Sequence, residues 1–213
     1  MINVPLILTV LVVGVISYLV GSINCSILIS KIKMNDDVRN SGSGNAGATN
    51  MLRTYGTKFG VLTMLGDFLK TLVPLIITRI VFKDVDYWQA MVAFSGFCCS
   101  MGHAFPIYFG FRGGKAVTVV AMVFLVVDWR CFAVGVSVFI AVVALTRFVS
   151  LASILAGISG PFTMFFICQK HMPNRYFVVV CLGALAIMII FLHRENVKRL
   201  FKGEEHRFKF KKK

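Results

Sequence analysis

The sequence predicts an all-α integral membrane protein with about seven transmembrane helices. Hydrophobic residues make up 57% of the 213-residue chain and its mean hydropathy is +0.80, whereas soluble domains contain roughly 45–50% apolar residues. Several apolar runs approach the roughly 20 residues that a helix needs to cross a hydrocarbon core. A chain of this length has room for one membrane-embedded domain, residues 1–213, and no second globular one.

Apolar runs alternate with polar segments along the whole chain. In order, the runs cover residues 4–30, 59–82, 88–105, 116–127, 131–145, 149–168 and 176–192. The first run is too long for the apolar core of a cleavable signal, so we expect it to span the membrane. Gly14, Gly21 and Ser22 within it favour close helix packing. The fourth run is the shortest, and it crosses a thinned bilayer only if its helix extends from Gly113 to Trp129, about 25 Å.

The distribution of Lys and Arg predicts the orientation of these helices. If seven helices alternate in direction, segments 31–58 and 106–115, the turn at Arg147 and the tail 193–213 lie on one side, and they hold most of the basic residues. The positive-inside rule places that side in the cytoplasm. We therefore expect an external N-terminus, a cytoplasmic C-terminus, and an external turn at residues 169–175.

The excess of positive charge limits the partners of the protein. The chain has 23 Lys and Arg against 9 Asp and Glu, a formal net charge of +14. In a membrane protein this favours membrane lipids with anionic headgroups and anionic substrates; no RNA- or DNA-binding pattern is present, so no nucleic-acid partner is expected. The six cysteines lie in or beside apolar runs, without metal-ligand spacing to histidine, so we expect no disulfide and no metal site.

The first polar motif is Ser-Gly-Ser-Gly-Asn-Ala-Gly-Ala-Thr-Asn at residues 41–50, followed by Arg53. Glycines let backbone N–H groups approach a ligand, short polar side chains add hydrogen bonds, and an arginine suits phosphate. We interpret the motif as an anion-binding loop; the alternative is a flexible polar linker between two helices. Its candidate residues are Gly42, Ser43, Gly44, Asn45, Gly47, Thr49, Asn50 and Arg53.

The second polar motif runs from Gly102 to Lys115. Its end, Arg-Gly-Gly-Lys, places two cations around two glycines ahead of a predicted helix, which favours anion binding. The alternative is that the cations serve only as topology signals. Phe109 and Ala116 depart from a Walker A loop, so nucleotide hydrolysis is not expected. The candidates are His103, Arg112, Gly113, Gly114 and Lys115.

The third motif begins at His193 and includes Asn196 and Glu205. His193 and Asn196 are three residues apart, so both can face the helix bundle while Arg194 and Lys198 face water. A solvated basic tail that binds lipid headgroups is the alternative; it explains residues 209–213 but not His193 and Asn196. Ser150 is expected at the same face of the membrane.

Asp67 and Lys70 lie within the second apolar run, three residues apart and so on one helical face. Charged groups at membrane depth are costly and normally face a protein interior or water. The two residues either neutralise each other as a packing pair or brace a polar site. The sequence leaves both interpretations open.

Together the three motifs resemble those of the bacterial membrane acyl-phosphate:glycerol-3-phosphate acyltransferases. The family's motifs look like Ser-Gly-Ser-Gly-Asn-Pro-Gly-Ala-Thr-Asn with a following Arg, Gly-His-x-Phe-Pro…Phe-Lys-Gly-Gly-Lys-Gly-Val, and His-Arg-x-Asn-Ile-x-Arg-Leu…Gly-x-Glu. This chain matches them in order at residues 41–53, 102–117 and 193–205. It departs from them at Ala46 for Pro, Arg112 for Lys and Ala116 for Gly, and no departure removes a charged or hydroxyl group.

The resemblance implies transfer of an acyl group from acyl phosphate to the 1-hydroxyl of sn-glycerol 3-phosphate, without a metal or other cofactor, at the cytoplasmic face of the bacterial plasma membrane. We expect Ser43, Asn45, Thr49 and Arg53 to hold a phosphate and the reacting carbonyl. We expect Arg112, Gly113, Gly114 and Lys115 to hold a second phosphate. Ser150, His193 and Asn196 would complete the pocket, His103 would contact substrate, and Asp67, Lys70 and Glu205 would be structural.

Several alternatives stay open at this level. The proton acceptor is either His193 or a substrate phosphate. We favour direct transfer, with Ser43 as a covalent nucleophile the alternative. A small transporter or flippase for a phosphorylated lipid precursor, with Asp67 and Lys70 along its path, is a rival class. A metal-dependent phosphatidyl transferase is another, for which Asp36-Asp37 is the nearby carboxylate pair. The oligomeric state is left open.

Overall fold

A computed structural model describes residues 4–166 and 174–208, and these residues form helices and turns without a β-strand. The helices are α1 (Val4–Gly21), α2 (Cys25–Met34), α3 (Ala48–Tyr55), α4 (Thr57–Val81), α5 (Trp88–Ala104), α6 (Val117–Val127), α7 (Trp129–Thr146), α8 (Val149–Phe166), α9 (Arg175–Leu192) and α10 (Arg194–Phe201). Short 3₁₀ turns occupy Val38–Asn40 and Ile107–Phe109. The predicted all-α class is confirmed.

The described residues contain 6 segments long and apolar enough to cross a membrane. They are Leu6–Met34, Thr57–Val81, Trp88–Phe109, Trp129–Thr146, Val149–Phe166 and Arg175–Leu192, and α6 is a shorter apolar helix among them. The predicted membrane protein is thus confirmed. Its orientation stays a prediction. The predicted external turn lies outside the described residues except for Asn174 and Arg175, and so do residues 209–213 of the tail.

The first apolar run is broken into two helices, whereas the sequence predicted one. Asn24 has extended backbone angles, and its side-chain Oδ1 accepts hydrogen bonds from the Ile27 backbone N at 3.1 Å and the Ser26 hydroxyl at 2.7 Å. A side chain that caps a new helix in this way competes with continuation of the old one. Helix α2 then passes Lys31 and Lys33 and ends at Met34.

The fourth run forms a shorter helix than predicted. Helix α6 has 11 residues, which is about 16 Å, or about half of a 30 Å hydrocarbon core. The predicted helix from Gly113 to Trp129 is wrong, because Ala116 has a left-handed backbone (φ 57°) and Asp128 is extended (φ −161°). The Asp128 side chain instead caps α7 by accepting a hydrogen bond from the Arg130 backbone N.

Glycines allow α1 and α5 to pack backbone to backbone. A Cβ on Gly21 would lie 2.1 Å from the Cys99 carbonyl oxygen, and one on Gly102 would lie 2.1 Å from the Tyr18 carbonyl oxygen. Contact of this kind is how helices associate in lipid, where apolar surface alone gives little preference. The result is a central α5, with 67% of its span buried against 11% for α7.

The predicted polar segment 31–58 is a folded cap rather than an open loop. It contains α3, and Val38, Ala46 and Met51 pack as a small buried cluster with Ile27 of α2. Arg39 ties this cap to the next polar loop, because its Nη1 donates to the Phe109 carbonyl at 2.8 Å and the Arg112 carbonyl at 3.2 Å. The first two motifs are therefore held together.

Candidate active site

All three motifs meet at one polar cavity of about 220 Å³. The cavity lies where the cap, the starts of α6 and α8, the end of α9 and the C-terminal segment converge. Predicted residues that line it are Ser43, Asn45, Gly47, Thr49, Asn50, Arg53, Asp67, His103, Lys115, Ser150, His193, Asn196 and Glu205. Residues distant in sequence thus form a single site.

Asn50 shapes the loop of the first motif. Its Oδ1 accepts from the Ser43 backbone N at 2.9 Å, and its Nδ2 donates to the carbonyls of Val38 and Ser41. Gly42 has φ 61° and no room for a side chain, because a Cβ there would lie 2.3 Å from Asn50 Oδ1. Gly42 and Gly44 do not line the cavity. Their predicted contact with substrate stays a prediction, and the geometry gives them a role in forming the loop.

The rim of the cavity carries unengaged polar groups. Ser43 and Thr49 are exposed there, as is Arg53 on α3. Within residues 4–166 and 174–208, Arg53 makes no ion pair and the Ser43 hydroxyl has no hydrogen bond. Because a guanidinium presents donors in a planar fork that matches phosphate, the rim is suited to an incoming anion.

A hydrogen-bonded network forms the opposite wall. The Lys115 ammonium donates to Asn196 Oδ1, and Asn196 Nδ2 donates to Glu205 Oε1 at 2.8 Å. The same carboxylate accepts from the Ser150 hydroxyl at 2.8 Å and, through Oε2, from Arg199 Nε at 2.8 Å. Glu205 therefore fixes the C-terminal segment against α8 and α10, and it orients the groups that hold Lys115.

Burial and neighbouring charges set the protonation of this wall. Burial lowers the pKa of Lys115 to about 8; Glu205 opposes this change, and Arg199 and Arg53 add to it. Burial alone would raise the pKa of Glu205, but hydrogen bonds from Asn196, Ser150 and Arg199 bring it below its usual value. At neutral pH the cavity therefore holds a cationic lysine beside an ionised, fully engaged carboxylate.

His193 is neutral, and its ring orientation is fixed. Its Nδ1 lies 2.8 Å from the Ile189 carbonyl oxygen, which can only accept, so Nδ1 carries the proton and Nε2 is an acceptor. Burial, followed by the positive charge of Lys115, lowers the pKa of His193 to about 4. His193 thus offers the cavity a lone pair on a side chain that is only 3% exposed.

Asp67, Lys70 and His103 form a buried cluster behind the cavity. Asp67 Oδ1 and Lys70 Nζ are 2.9 Å apart, and Lys70 Nζ lies 2.9 Å from His103 Nδ1. Asp67 and His103 reach the cavity lining and Lys70 does not. The sequence left open whether Asp67 and Lys70 neutralise each other or brace a polar site. Each interpretation describes part of the arrangement, because the two residues form an ion pair and Lys70 also contacts His103 of the site.

The glycines of the second motif hold their loop against α5. The backbone N–H groups of Gly113 and Gly114 donate to the carbonyls of Ala104 and His103, each at 3.1 Å. A Cβ on Gly113 would lie 2.1 Å from the His103 carbonyl oxygen. Arg112 is exposed, and neither it nor the two glycines line the cavity. Their predicted hold on a second phosphate stays a prediction; within this motif, Lys115 and His103 are the predicted candidates that reach the cavity.

An apolar cavity of about 260 Å³ adjoins the polar one. The two share Met64, Val117, Thr118, Phe139 and Ser153. The apolar cavity continues between α4, α6, α7, α8 and α9 along Phe68, Val120, Ala121, Phe124, Phe132, Gly135, Val136, Ala156, Gly157 and Ile189. Sequence reasoning missed these residues. Ser153 could have been found from the sequence, because it is a polar residue three positions after Ser150 and so lies on the same helical face.

The carboxylates near the first motif serve the cap. Asp36 accepts from the Tyr55 hydroxyl at 2.5 Å, and Asp37 pairs with Arg39 at 2.7 Å. Neither lines the polar cavity. Over the described residues, no group of three or more His, Cys, Asp or Glu side chains is placed to hold a metal ion. The expected absence of a metal cofactor stays a prediction.

Comparison with known proteins gives one consistent result. The sequence model of the family described as glycerol-3-phosphate acyltransferase matches residues 11–203. A glycerol-3-phosphate acyltransferase of Aquifex aeolicus is 40% identical over 194 residues, covering 91% of this chain and 96% of its own. One from Geobacter sulfurreducens is 38% identical over 199 residues, covering 93% and 97%.

Two crystal structures of PlsY, an integral membrane glycerol 3-phosphate acyltransferase, share the fold. The glycerol 3-phosphate form superposes with a TM-score of 0.84 at 37% identity, covering 94% of this chain and 96% of that one. The lysophosphatidic acid form gives a TM-score of 0.81 at 35% identity, with the same coverage. The resemblance seen in the three motifs is thereby confirmed along nearly the whole chain.

Proposed function

The chain belongs to the glycerol-3-phosphate acyltransferase family, and we propose that it transfers an acyl group from acyl phosphate to the 1-hydroxyl of sn-glycerol 3-phosphate. The products are 1-acyl-glycerol 3-phosphate (lysophosphatidate) and inorganic phosphate, and the reaction begins phospholipid synthesis. The observation that carries the proposal is the junction of the two cavities. A cationic polar site adjoins an apolar one and shares five lining residues with it, as an anionic headgroup joined to a hydrocarbon chain requires.

Arg53 and Lys115 are the cations that we assign to the substrate phosphates. Both line the polar cavity, Arg53 at its exposed rim and Lys115 in its wall. Burial is the main cause of the lowered pKa of Lys115, and the like charges of Arg199 and Arg53 add to it, so a bound anion beside Lys115 would favour its charged form. Ser43 and Thr49 add hydroxyl donors at the rim. This arrangement favours phosphate over neutral ligands.

The acyl chain is assigned to the apolar cavity. Its entrance is formed by the residues shared with the polar cavity, among them Phe139 and Ser153. From Val117 at the entrance to Phe124 the distance along α6 is about 10 Å. A carbonyl at the entrance would therefore lie beside Lys115 and Asn196 while the hydrocarbon extends away from them. Such fixed placement of both reactants supplies much of the catalysis when the leaving group is good.

Transfer is proposed to be direct. The substrate hydroxyl oxygen attacks the carbonyl carbon, the bond from that carbon to the phosphate oxygen breaks, and the hydroxyl proton passes to a phosphate oxygen. The Nε2 lone pair of His193 accepts a hydrogen bond from the hydroxyl and orients it, but a pKa of about 4 makes His193 a weak base. A phosphate with a second pKa near 6 is the better final acceptor.

A covalent intermediate on Ser43 has less support. Its hydroxyl is exposed at the rim and has no hydrogen-bonded base within the described residues, whereas a serine nucleophile needs one. The Ser150 hydroxyl donates a hydrogen bond to Glu205, which fits a role in positioning the wall. Both features favour a single displacement within a preorganised cavity.

The proposed setting is the inner membrane of a bacterium, with the cavity at the cytoplasmic face and the basic tail against anionic lipids. The reaction is tested with purified protein, palmitoyl phosphate and glycerol 3-phosphate, in the absence of CoA and ATP. We expect lysophosphatidate and phosphate in equal amounts, unchanged by EDTA. Product formation from palmitoyl-CoA but not from palmitoyl phosphate would reject the proposed donor.

A further inference from the structure

We propose that Lys70 is a positioning residue that keeps the proton of His103 on Nε2, so that the Nε2–H group donates a hydrogen bond to an anionic oxygen in the polar cavity. The inference rests on the proposed function for the identity of that oxygen, either a phosphate oxygen of a substrate or the carbonyl oxygen that becomes negative during transfer. The assignment of the proton itself rests on contacts within the protein alone.

The ammonium group of Lys70 has three electronegative neighbours for its three N–H bonds. Nζ donates to the Ile23 carbonyl oxygen at 2.7 Å and contacts His103 Nδ1 at 2.9 Å. The third neighbour is Asp67 Oδ1 at 2.9 Å, an ion-pair contact without the alignment of a hydrogen bond. An ammonium has donors and no lone pair. Nδ1 of His103 must therefore accept, and the ring proton resides on Nε2.

Nε2 lies on the side of the His103 ring away from Lys70. His103 is 3% exposed and lines the cavity, and no group within residues 4–166 and 174–208 accepts a hydrogen bond from Nε2. Gly114 keeps this nitrogen accessible, because a Cβ there would lie 2.2 Å from Nε2. An imidazole N–H is a donor that needs an acceptor. A ligand oxygen in the cavity would supply one.

The two histidines of the cavity are fixed in opposite tautomers. His193 donates a hydrogen bond from Nδ1–H to the Ile189 carbonyl oxygen and presents a lone pair at Nε2, whereas His103 accepts at Nδ1 and presents Nε2–H. The partner of Nδ1 determines the function of the other nitrogen in each ring. One ring is thus suited to a substrate hydroxyl and the other to an oxygen that bears negative charge.

The first test is a measurement on the wild-type protein. Side-chain ¹⁵N NMR of histidine-labelled protein in lipid nanodiscs, assigned with a His103→Gln variant, reports which nitrogen of His103 is protonated. We expect the proton on Nε2 at neutral pH. A proton on Nδ1 would overturn the inference, whether or not the protein has acyltransferase activity, so this outcome is distinct from failure of the proposed function.

The second test removes the lysine while keeping the local charge. In the double variant Asp67→Asn/Lys70→Met, we expect loss of the single tautomer and a decrease in kcat/KM of about 10-fold or more, as for other partners that orient a functional histidine. A rise in the KM of glycerol 3-phosphate would show that the oxygen belongs to the phosphate of glycerol 3-phosphate. A rise in the KM of acyl phosphate would show that it belongs to the phosphate of that donor. A fall in kcat alone would show that it is the carbonyl oxygen.

A variant that no longer needs Lys70 controls for simple structural damage. The side chain of His103→Gln places an amide N–H near the position of Nε2, whereas His103→Asn places it near Nδ1. We expect Gln to keep more activity than Asn and to make the double substitution at Asp67 and Lys70 nearly neutral. Equal activity of the Gln and Asn variants, or an undiminished effect of the double substitution in the Gln background, would contradict the inference.

Discussion

The two adjoining cavities are similar in size but are formed in different ways. The polar one, about 220 Å³, is held by a network in which Glu205, Asn196 and Lys115 each have a defined partner. The apolar one, about 260 Å³, is shaped by contacts of side chains such as Phe124 against Gly160. Hydrogen bonds fix positions to within a fraction of an ångström, whereas van der Waals contacts tolerate repacking. We therefore expect substitutions in the polar cavity to abolish the reaction and those in the apolar cavity to change its selectivity.

The largest effect is expected for Lys115→Ala. Removing this cation from the wall takes away charge stabilisation, and we expect kcat/KM to decrease about 10²–10³-fold. Lys58→Ala is the matched control, because it also removes one lysine charge, but from an exposed position that does not line the cavity. Steady-state rates in nanodiscs measure both. Near wild-type activity of the Lys115 variant would refute the electrostatic role of the wall.

Arg53→Ala compared with Arg112→Ala separates the two polar loops. Arg53 lines the cavity and Arg112 does not. We expect the Arg53 variant to lose about 100-fold in kcat/KM, as for a lost charged contact of about 3 kcal/mol. The Arg112 variant should stay within about 3-fold, because Arg112 lies outside the cavity lining. Equal losses in both variants would show that the second loop moves to bind a phosphate, as its sequence predicted.

Gly135→Val tests the apolar cavity. A Cβ at Gly135 meets Phe124 at 3.5 Å, an ordinary contact, and the γ-methyl groups of valine would take space from the cavity that Gly135 lines. We expect long acyl phosphates to lose about 10-fold relative to short ones, since a methylene or two of misfit is worth about 1–3 kcal/mol, while the KM of glycerol 3-phosphate is unchanged. Gly183→Val is the control, because a Cβ there meets nothing within 4 Å and Gly183 lines neither cavity. Unchanged donor selectivity in the Gly135 variant would exclude this cavity as the chain site.

The smallest effect concerns pH. A lysine is charged below its pKa, and that of Lys115 is about 8. Activity that requires the charge is therefore present at pH 7 and is lost as the pH rises through 8, with a decrease in kcat/KM of about 4-fold between pH 7 and 8.5, since kcat/KM reports the free enzyme. Lys115→Arg should remove this fall even if its rate is lower, because arginine stays charged. The same fall in kcat/KM at alkaline pH in the wild-type protein and in Lys115→Arg would show that another group causes it.

The same contrast explains what the sequence could predict. Ser43, Arg53 and His193 stand out because polar residues in an apolar chain need a reason to be there. Phe124 and Phe139 do not, because an apolar residue that lines a cavity has the same composition signal as one that faces lipid. The sequence therefore predicted most of the polar side chains of the polar cavity and hardly any residue of the apolar one.

Local backbone geometry limited the rest of the prediction. The break at Asn24 and the left-handed Ala116 depend on which competing hydrogen bonds form in the folded protein, and hydropathy does not report them. Gly113 and Gly114 were assigned to anion binding by their pattern, but their N–H groups complete the end of α5. A glycine pattern identifies close backbone approach without identifying what is approached.

The most direct test of whether one acyl donor occupies both cavities is photocrosslinking with an acyl phosphate that carries a diazirine near the end of its chain. Peptide mass spectrometry then locates the label. We expect it on α6 or α7 beside Phe124, Phe132 or Val136, with labelling suppressed by excess palmitoyl phosphate and by Lys115→Ala. Label confined to lipid-facing positions such as Leu8 of α1, unaffected by competitor, would contradict the joined-cavity site.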